Sequence, residues 1–209
     1  MARIKAEPIV KRKASSQRKI EIINSAAEIL ISKGLQSLTI KNLAQENDIS
    51  ESAIYRHFTD KQAIFIGLID QFENDLLCAI DQPIKEYNDP IEQLKEIMKT
   101  HIMFAQKKKS LLFATTSTAI HLKDDFLRKK ILKTTDKYRA KIKVILERAK
   151  KQDLLRDDVD IDIASFAFFG LIRAASAHFA LTNYTNPPMN KFYTLWNIYL
   201  HGIEKVKRG

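Results

Sequence analysis

Apolar residues recur every three or four positions along most of the chain, which is the spacing of an α-helix with one buried face. The first such stripe begins near Ser16 and ends at Gly34, where a left-handed C-terminal cap is expected. No segment shows the strict alternation of a half-buried β-strand, and no internal repeat is visible. The pattern therefore predicts an all-α protein of nine helices, three short ones at the N-terminus followed by a bundle of roughly six.

Polar capping residues and prolines place the ends of the predicted helices. Serine, threonine and aspartate accept hydrogen bonds from the free N–H groups at a helix start, whereas proline suits the first helical position and breaks a helix interior. After the first helix, the predicted helices span residues 39–46, 50–57, 60–80, 90–107, 110–121, 124–152, 160–182 or 162–182, and 189–206, with Pro83 and the pair Asp89–Pro90 as breaks.

The composition favours a soluble protein of a reducing compartment. Only five glycines and five prolines occur among 209 residues, too few for the many turns of a β-sandwich. The single cysteine, Cys78, excludes a disulfide framework and a zinc ribbon. No apolar run approaches the roughly 20 residues of a membrane span, and no signal-peptide core follows Met1. We therefore expect a cytoplasmic protein without membrane contact.

Positive charge is concentrated at the N-terminus. The formal net charge is +10, and residues 1–20 contain seven basic residues and one acidic residue. Residues 21–61, in contrast, contain four basic and six acidic residues. A basic, flexible arm over residues 1–15, next to the first helix, is typical of a protein that binds a polyanion. The alternative is a tail that only keeps the protein soluble.

Residues 40–56 have the spacing of a helix-turn-helix motif. Ala44 is small where two helices cross closely, the turn follows at Asp48, and Ile54 lies between the two helices. The turn position requires a positive φ, which aspartate tolerates better than most residues other than glycine. Such a motif presents the N-terminal half of its second helix to the major groove of DNA. A pair of short scaffold helices is the alternative.

The residues around this motif resemble the TetR (tetracycline-repressor) family of bacterial transcription regulators. The recognition-helix signature of that family is matched by residues 50–61 (SESAIYRHFTDK), and its entry into the preceding helix by residues 38–44 (LTIKNLA). The resemblance covers about residues 16–65 and departs from the family at Asp48, where glycine is usual, and at Ser52-Ala53. It implies a DNA-binding domain over residues 16–61 with contacts from Thr39, Lys41, Ser50, Glu51, Ser52, Ala53, Tyr55, Arg56, His57 and Lys61.

The chemistry of these side chains suits DNA. Thr39 and Ser50 begin helices whose N–H groups and dipoles attract phosphate. The short side chains of residues 51–53 offer hydroxyl groups to bases and a methyl group to thymine. Four other side chains have alternative roles: Lys41 as a solvated lysine, Tyr55 as a half-buried core aromatic, His57 as a cap of the helix end, and Lys61 as the partner of Asp60.

Residues 161–206 combine small and aromatic side chains in a way that favours a two-fold interface. Small residues let helices approach closely, and aromatic residues are common at interface cores. The penultimate helix carries the stripe Ile163, Ala167, Gly170, Ala174, Ala177 and Leu181, and the last helix adds Phe192, Leu195, Trp196, Tyr199 and Ile203. An ordinary core helix is the alternative. The family resemblance implies a four-helix dimer bundle, and so a homodimer.

A pocket for a small molecule is expected in the domain of residues 62–209. Such pockets combine aromatic rings with a few polar groups. The candidate wall residues are Phe104, Phe113, Thr116, His121, Phe126, Phe169, Arg173 and His178. Arg173 lies within an apolar helix and therefore needs either a carboxylate partner or an anionic ligand. Each of the other side chains also suits an ordinary core.

Catalytic chemistry has no support in the sequence. The chain contains no HExxH motif, no glycine-rich phosphate loop and no GxSxG elbow, and its five histidines are scattered, so we expect no catalytic residue, metal or cofactor. The favoured function is a homodimeric one-component regulator, a repressor that binds a palindromic double-stranded DNA operator and is released by a small-molecule effector. A ligand-independent architectural DNA-binding protein is the alternative, and an α-helical enzyme or carrier is a second.

Overall fold

The computed structural model describes residues 7–109, 111, 115–117, 120 and 123–205, with side chains from residue 15 onward. Within these residues eight α-helices and no β-strand occur, which confirms the all-α prediction. The helices are α1 (Glu7–Lys33), α2 (Ile40–Glu46), α3 (Glu51–Tyr55), α4 (Lys61–Glu86), α5 (Pro90–Lys107), α6 (Asp125–Lys151), α7 (Ile161–Leu181) and α8 (Phe192–Ile203). Most of the predicted helix 110–121 lies outside the described residues.

Side-chain caps fix the starts of six helices, as predicted. In each case an oxygen accepts a hydrogen bond from a backbone N–H group of the first turn, which stabilises a helix by about 1 kcal/mol. The capping residues are Thr39, Ser50, Asp60, Asp89, Asp124 and Asp160, with acceptor distances between 2.7 and 3.2 Å. The prolines agree with these boundaries only in part, because Pro90 begins α5 whereas Pro83 lies inside α4.

Pro83 does not break α4, contrary to the prediction. The helix continues to Glu86, and the N–H group of Tyr87 donates to the carbonyl oxygen of Pro83 over 3.1 Å. The amide group of Gln93, on α5, donates to the carbonyl oxygens of Ile84 and Tyr87 over 2.7 and 2.5 Å. These bonds satisfy carbonyl groups that a helix end otherwise leaves free. A contact between distant residues therefore outweighs the local effect of the proline.

The outer ends of the first and last helices also differ from the prediction. Helix α1 begins at Glu7, well before Ser16, so residues 7–15 of the predicted flexible arm are helical. The prediction missed this start because the residues ahead of Ser16 carry no regular apolar stripe. Helix α8 begins at Phe192 after a 3-10 turn over Pro188–Lys191. Gly34 ends α1 with a φ of 78° and a ψ of 176°, a backbone region that is essentially restricted to glycine.

The chain divides after Gln71 into two compact units. The boundary predicted from the sequence, after Lys61, lies at the start of α4 and stays a prediction. In the first unit α1, α2, α3 and the start of α4 pack around fully buried side chains, which include Ile22, Ile29, Leu38, Leu43, Ile54, Ile64 and Leu68. These side chains hold the short helices α2 and α3, which are too short to be stable alone.

The second unit is a helical bundle. Helices α5, α6, α7 and α8 surround large buried side chains such as Tyr138, Phe168, Phe192 and Trp196. The hydroxyl group of Tyr199, on α8, donates to the backbone carbonyl of Ala164 on α7 over 3.2 Å. The part of α4 after Gln71 joins this bundle through ion pairs that Asp75 and Asp81 make with lysines 108 and 141.

Candidate DNA-binding surface and ligand pocket

The helix-turn-helix is built as its spacing predicts. Asp48 has a φ of 52°, and the N–H group of Ile49 returns to the carbonyl oxygen of Ala44 over 3.0 Å, which closes the turn. Ala44 and Ile54 are buried between the helices. Asn47 supports the turn from outside the predicted set, since its side chain accepts a hydrogen bond from Ser25 of α1 and donates to the Leu43 carbonyl. The motif is thus bound to α1.

Most of the residues predicted to contact DNA are exposed on this motif. Thr39, Lys41, Ser50, Glu51, Ser52, Tyr55 and Arg56 all reach the surface. Tyr55 is 53% exposed although it is a large aromatic residue, which excludes its alternative role as a core side chain. The hydroxyl groups of Ser50 and Ser52 lie 2.8 Å apart, so the capping serine also orients its neighbour.

Ala53 is the exception, because only 7% of it is exposed. The expectation that its methyl group faces a thymine is wrong for this conformation. On the five-residue helix α3, Ala53 is buried together with the adjacent Ile54. The side chains that this helix exposes are those of Glu51, Ser52 and Tyr55.

His57 lies in a positively charged environment. Burial lowers its pKa below the ordinary value, and the charges of Lys19, Arg56 and Arg18 lower it further. Its buried Nδ1 atom has no hydrogen-bond partner among the described residues, so this atom does not cap the helix end. The charges of Arg18 and Lys19, on α1, thus reach His57 at the end of the helix-turn-helix. Both belong to the basic N-terminal segment, but neither was predicted as a site residue.

In the described residues Lys61 does not pair with Asp60, although the sequence left that pairing open as its alternative role. The carboxylate of Asp60 accepts hydrogen bonds from the N–H group of Ala63 and from the hydroxyl group of Thr59. The Lys61 ammonium group lies instead 5.9 Å from the centroid of the Phe65 ring, and burial lowers its pKa. Its charge is left without an acidic partner among these residues.

In the second unit the small-residue stripe of α7 faces outward. Ile163 is 62% exposed, Ala167, Ala174 and Leu181 are exposed, and an atom added at the Cβ position of Gly170 would meet no described atom within 4 Å. This excludes the alternative of an ordinary core helix. The stripe borders a groove of about 650 Å³ that also includes Ile198 and Gly202 of α8.

The aromatic residues of α8 are arranged differently from the prediction. Phe192, Trp196, Tyr199 and Ile203 are buried within their own chain, where Tyr199 packs against Phe168 of α7. They are therefore not exposed interface anchors in this chain, because the inner face of α8 is needed to cover α7. The apolar side chains that α8 exposes are Tyr193 and Ile198.

Three aromatic rings from three helices meet inside the second unit. The ring centroids of His101 on α5 and Tyr138 on α6 lie 4.9 Å apart, and Phe169 on α7 lies 5.4 Å from Tyr138 and 6.1 Å from His101. His101 and Tyr138 are 2% and 1% exposed. The Nδ1 atom of His101 and the hydroxyl group of Tyr138 have no hydrogen-bond partner among the described residues.

Electrostatics keep these groups neutral. Burial, together with the positive charge of Arg173, lowers the pKa of His101 to about 3. Burial also raises the pKa of Tyr138 well above its ordinary value, with a smaller contribution from Tyr199. Near neutral pH, His101 is an uncharged imidazole and Arg173 provides the charge.

The predicted wall residues of the pocket are only partly brought together. Phe169 contacts the buried rings, and Arg173 acts on His101 through its charge. Phe104 is half-buried and packs edge-on against Phe72 at 5.2 Å, and Thr116 is half-buried. The structure exposes Phe126 and His178, which removes them from a buried wall in this conformation. Phe113 and His121 lie outside the described residues.

Two family models match the chain. Residues 22–68 match bacterial regulatory proteins of the tetR family, and residues 87–177 match a tetracyclin repressor-like C-terminal domain. The chain belongs to the TetR family. The first match contains the helix-turn-helix described above, so this TetR protein is a DNA-binding transcriptional regulator.

Relatives of this TetR protein extend over nearly the whole chain. Nucleoid occlusion factor SlmA of Vibrio vulnificus is 26% identical over 182 residues, which cover 87% of this chain and 93% of the relative. The regulator FadR from Bacillus subtilis, solved in complex with stearoyl-CoA, has a TM-score of 0.77 at 19% identity and covers 88% of this chain and 99% of its own. A TetR-family regulator from Cytophaga hutchinsonii has a TM-score of 0.76 at 22% identity, with 93% and 98% covered. The two solved structures share the TetR fold.

Helix α7 of this TetR protein corrects one expectation. Its 21 residues have the length and hydropathy of a membrane span, although no such apolar run was expected from the sequence. Length and composition alone are weak evidence for a span, because a core or interface helix meets the same criteria. Only a third of its most apolar window is buried within the chain.

His101 and Tyr138 were missed as site residues of this TetR protein. Both lie on the apolar stripe of their helices, and such a stripe predicts burial but not whether a polar atom finds a partner. Within the described residues no group of three His, Cys, Asp or Glu side chains is placed to hold a metal ion.

Proposed function

We propose that this TetR-family protein is a one-component repressor that binds a palindromic operator as a homodimer and is released by a small-molecule effector. It acts in the cytoplasm, without enzymatic activity, cofactor or membrane attachment. The observation that carries the proposal is the pair of buried polar groups on His101 and Tyr138 that find no hydrogen-bond partner in the part of the chain that the structure describes. Buried polar groups in folded proteins almost always have a partner, so an orphan pair that packs against Phe169, one turn before Arg173 on α7, favours a bound ligand.

The DNA-binding part of the proposal uses the exposed face of α2 and α3. Ser50 and Thr39 begin these helices, Lys41 lies in the first turn of α2, and Tyr55 and Arg56 lie at the C-terminal end of α3. Tyr55 would donate to a phosphate, and the cations would neutralise others, which positions α3 in the major groove. Lys61, Arg18 and Lys19 extend the positive surface, and His57 would take part as a phosphate contact.

The dimer part of the proposal uses the outward face of α7. Obligate dimer interfaces are apolar and close-packed at their centre. The exposed side chains Ile163 and Phe166, the open space at Gly170 and the adjoining groove along α8 match that description. A two-fold axis through this face would pair the α7 and α8 helices of two chains within residues 161–206.

Release requires coupling between the two units, and α4 runs through both as one continuous helix from Lys61 to Glu86. Its first turn carries Lys61, and its later part holds Glu73 within the bundle. Two recognition helices must lie about 34–36 Å apart to enter successive major grooves. A small ligand-induced shift of α4 in both protomers would therefore spoil the spacing of the half-sites.

Ligand-independent DNA binding is the second candidate. The similarity to nucleoid occlusion factors favours it, since that name describes a role other than the release of a repressor by a metabolite. The two candidates make opposite predictions about the second unit. A ligand-independent protein has no use for orphan polar groups in its core, which lower stability unless a partner satisfies them.

The test begins with selection of genomic DNA fragments by the purified protein. The first candidate predicts that the fragments share a palindrome with half-sites one helical turn apart, or a multiple of it. The selected fragment is then titrated with protein in the presence and absence of a metabolite panel. A compound that weakens operator binding supports the repressor. Tight operator binding that no compound alters, by a protein that no compound stabilises, favours the ligand-independent alternative.

A further inference from the structure

Arg173 is unusual among the arginines of the second unit. Three of the others form ion pairs with acidic side chains, namely Arg128, Arg139 and Arg156. Arg148 donates hydrogen bonds to the side-chain oxygen of Gln93 and to the carbonyl oxygen of Asn88. Arg173 has no ion pair or hydrogen bond with any described residue, although it is partly buried and burial lowers its pKa. A guanidinium group withdrawn from water without a counter-ion is unfavourable. Such a group is expected where an anion completes it.

The surroundings of Arg173 define what that anion meets. Phe169 lies one turn earlier on the same face of α7, and it touches both His101 and Tyr138. The positive charge of Arg173 also helps to lower the pKa of His101, with burial as the larger cause. Two neutral polar groups without a partner among the described residues thus adjoin the Phe169 ring, which lies one turn before the cation on α7.

Resting on the proposed function, we propose that this cluster of His101, Tyr138, Phe169 and Arg173 binds the carboxylate of an effector that is otherwise apolar. The guanidinium group matches a carboxylate in a planar, two-bond geometry. The Tyr138 hydroxyl group donates to an oxygen of the effector, His101 supplies a further polar contact, and the aromatic rings pack against the apolar body.

Charge balance favours a carboxylate over a phosphate monoester. The cluster offers one positive charge, because His101 and Tyr138 are both neutral. A carboxylate brings one negative charge, whereas a phosphate monoester carries up to two near neutral pH. The second charge would remain uncompensated in a buried site, which is unfavourable.

The first test compares matched probes by thermal unfolding of the full-length protein. Hexanoate, decanoate and phenylacetate are each paired with the alcohol of the same carbon skeleton, and decyl phosphate is added. We expect at least one carboxylate to raise the Tm of the protein while the matching alcohol does not. The affinity of the protein for that carboxylate should fall at least about tenfold in Arg173→Met. Arg128→Met, which removes an exposed cation from the same unit, is the control and should bind as the wild type does.

The second test needs no ligand. If Arg173 has no partner in the free protein, Arg173→Met should raise the Tm by a few degrees, because an unpaired buried charge is replaced by an apolar side chain of similar length. Arg173→Lys retains a charge and should not raise the Tm. A lower Tm in Arg173→Met would show that the guanidinium group has an internal partner, which overturns the proposal.

The other outcomes are equally decisive. An alcohol that stabilises as well as its carboxylate, a panel in which no carboxylate stabilises, or decyl phosphate binding more tightly than decanoate each overturns the inference. Operator binding is measured on the same samples. A neutral effector that releases DNA would support the proposed function and overturn this inference. A carboxylate that binds but leaves DNA affinity unchanged would support this inference and contradict the proposed release by an effector.

Discussion

The hydroxyl group of Thr134 donates to the carboxylate of Glu73 over 2.7 Å, and both side chains are buried within the second unit. The ammonium group of Lys137, further along α6, pairs with the same carboxylate. Burial raises the pKa of Glu73, but the hydrogen bonds from Lys137 and Thr134 and the nearby positive charges outweigh it, so the pKa lies below its ordinary value. A charged anchor thus binds the second half of α4 to α6.

Glu73→Gln should lower the free energy of unfolding at neutral pH. The substitution keeps the shape of the side chain but removes its charge. We expect a loss of about 1–3 kcal/mol, the range for losing a charged hydrogen bond. Lys137 stays partly hydrated, which keeps the loss below the 3–5 kcal/mol typical of breaking a fully buried pair. Urea midpoints at constant slope measure it.

The same variant has a defined pH dependence. Because the folded pKa is depressed, the contribution of Glu73 is complete above the unfolded pKa of about 4.3 and is lost as the pH falls through the lower folded value. The difference between wild type and Glu73→Gln should therefore shrink in acid. Asp125→Asn, which removes an exposed ion pair with Arg128, should cost less than about 1 kcal/mol. Equal stability of Glu73→Gln and wild type at neutral pH would contradict the anchor.

Tyr55→Phe should weaken operator binding and leave folding unchanged. The substitution removes only a hydroxyl group from a side chain that is 53% exposed. A lost hydrogen bond to a phosphate corresponds to about 1.5–3 kcal/mol, or roughly 10-fold to 150-fold in Kd. Fluorescence anisotropy with labelled operator measures the affinity. Tyr87→Phe, a half-buried tyrosine of the second unit, is the matched control, and an unchanged Kd for Tyr55→Phe would remove the phosphate contact.

Local features of the fold could be predicted from the sequence, whereas features that depend on distant residues could not. The positive φ of Asp48 and the caps at Ser50 and Asp89 follow from neighbouring residues, and the structure confirms them. The continuation of α4 through Pro83 depends on Gln93, which reaches back from the next helix. No local pattern contains that contact.

The candidate sites show the same division. The spacing predicted that Ile54 lies between the two helices, but it did not predict that the adjacent Ala53 is buried as well. The charge of Arg173 in an apolar helix was visible in the sequence. The orphan atoms of His101 and Tyr138 were not, because a missing hydrogen-bond partner is a property of three-dimensional packing.

Arg18→Gln and Lys19→Gln test whether α1 contributes to the DNA-binding surface. Each phosphate contact adds about 0.9 to the slope of log K against log salt concentration, and the proposed dimer carries two copies of each side chain, so the double variant should flatten that slope by up to about 3.6. The pKa of His57 should also rise toward its ordinary value, since both cations lower it. An NMR titration of His57 measures this in the free protein. Lys107→Gln and Lys109→Gln, two exposed lysines of the second unit, form the control, and an unchanged slope in the α1 variant would exclude these contacts.

Gly170→Arg and Ala174→Arg should produce monomers. Both positions lie on the outward face of α7, where a bulky cation meets open space in the single chain but would be forced into the apolar centre of the proposed interface. Sedimentation velocity should show the smaller species, and operator affinity should fall because the two half-sites are no longer bound together. Gln82→Arg adds the same charge at an exposed position of α4 and should stay dimeric. Dimers in both α7 variants would locate the interface elsewhere.

The proposed release mechanism makes a reciprocal prediction about effector and operator. If an effector lowers operator affinity by some factor, operator DNA must lower effector affinity by the same factor, typically about 5–150-fold, or 1–3 kcal/mol. Calorimetric titrations of effector into protein with and without saturating operator measure the second factor, and anisotropy measures the first. The dimer should persist throughout, because the shift of α4 changes half-site spacing and not the α7 interface. Thr116→Trp, which adds bulk at a half-buried position of the second unit, should abolish the effector response and retain operator binding. Equal effector affinity in both titrations would refute the coupling, and loss of operator binding in Thr116→Trp would refute the location of the pocket.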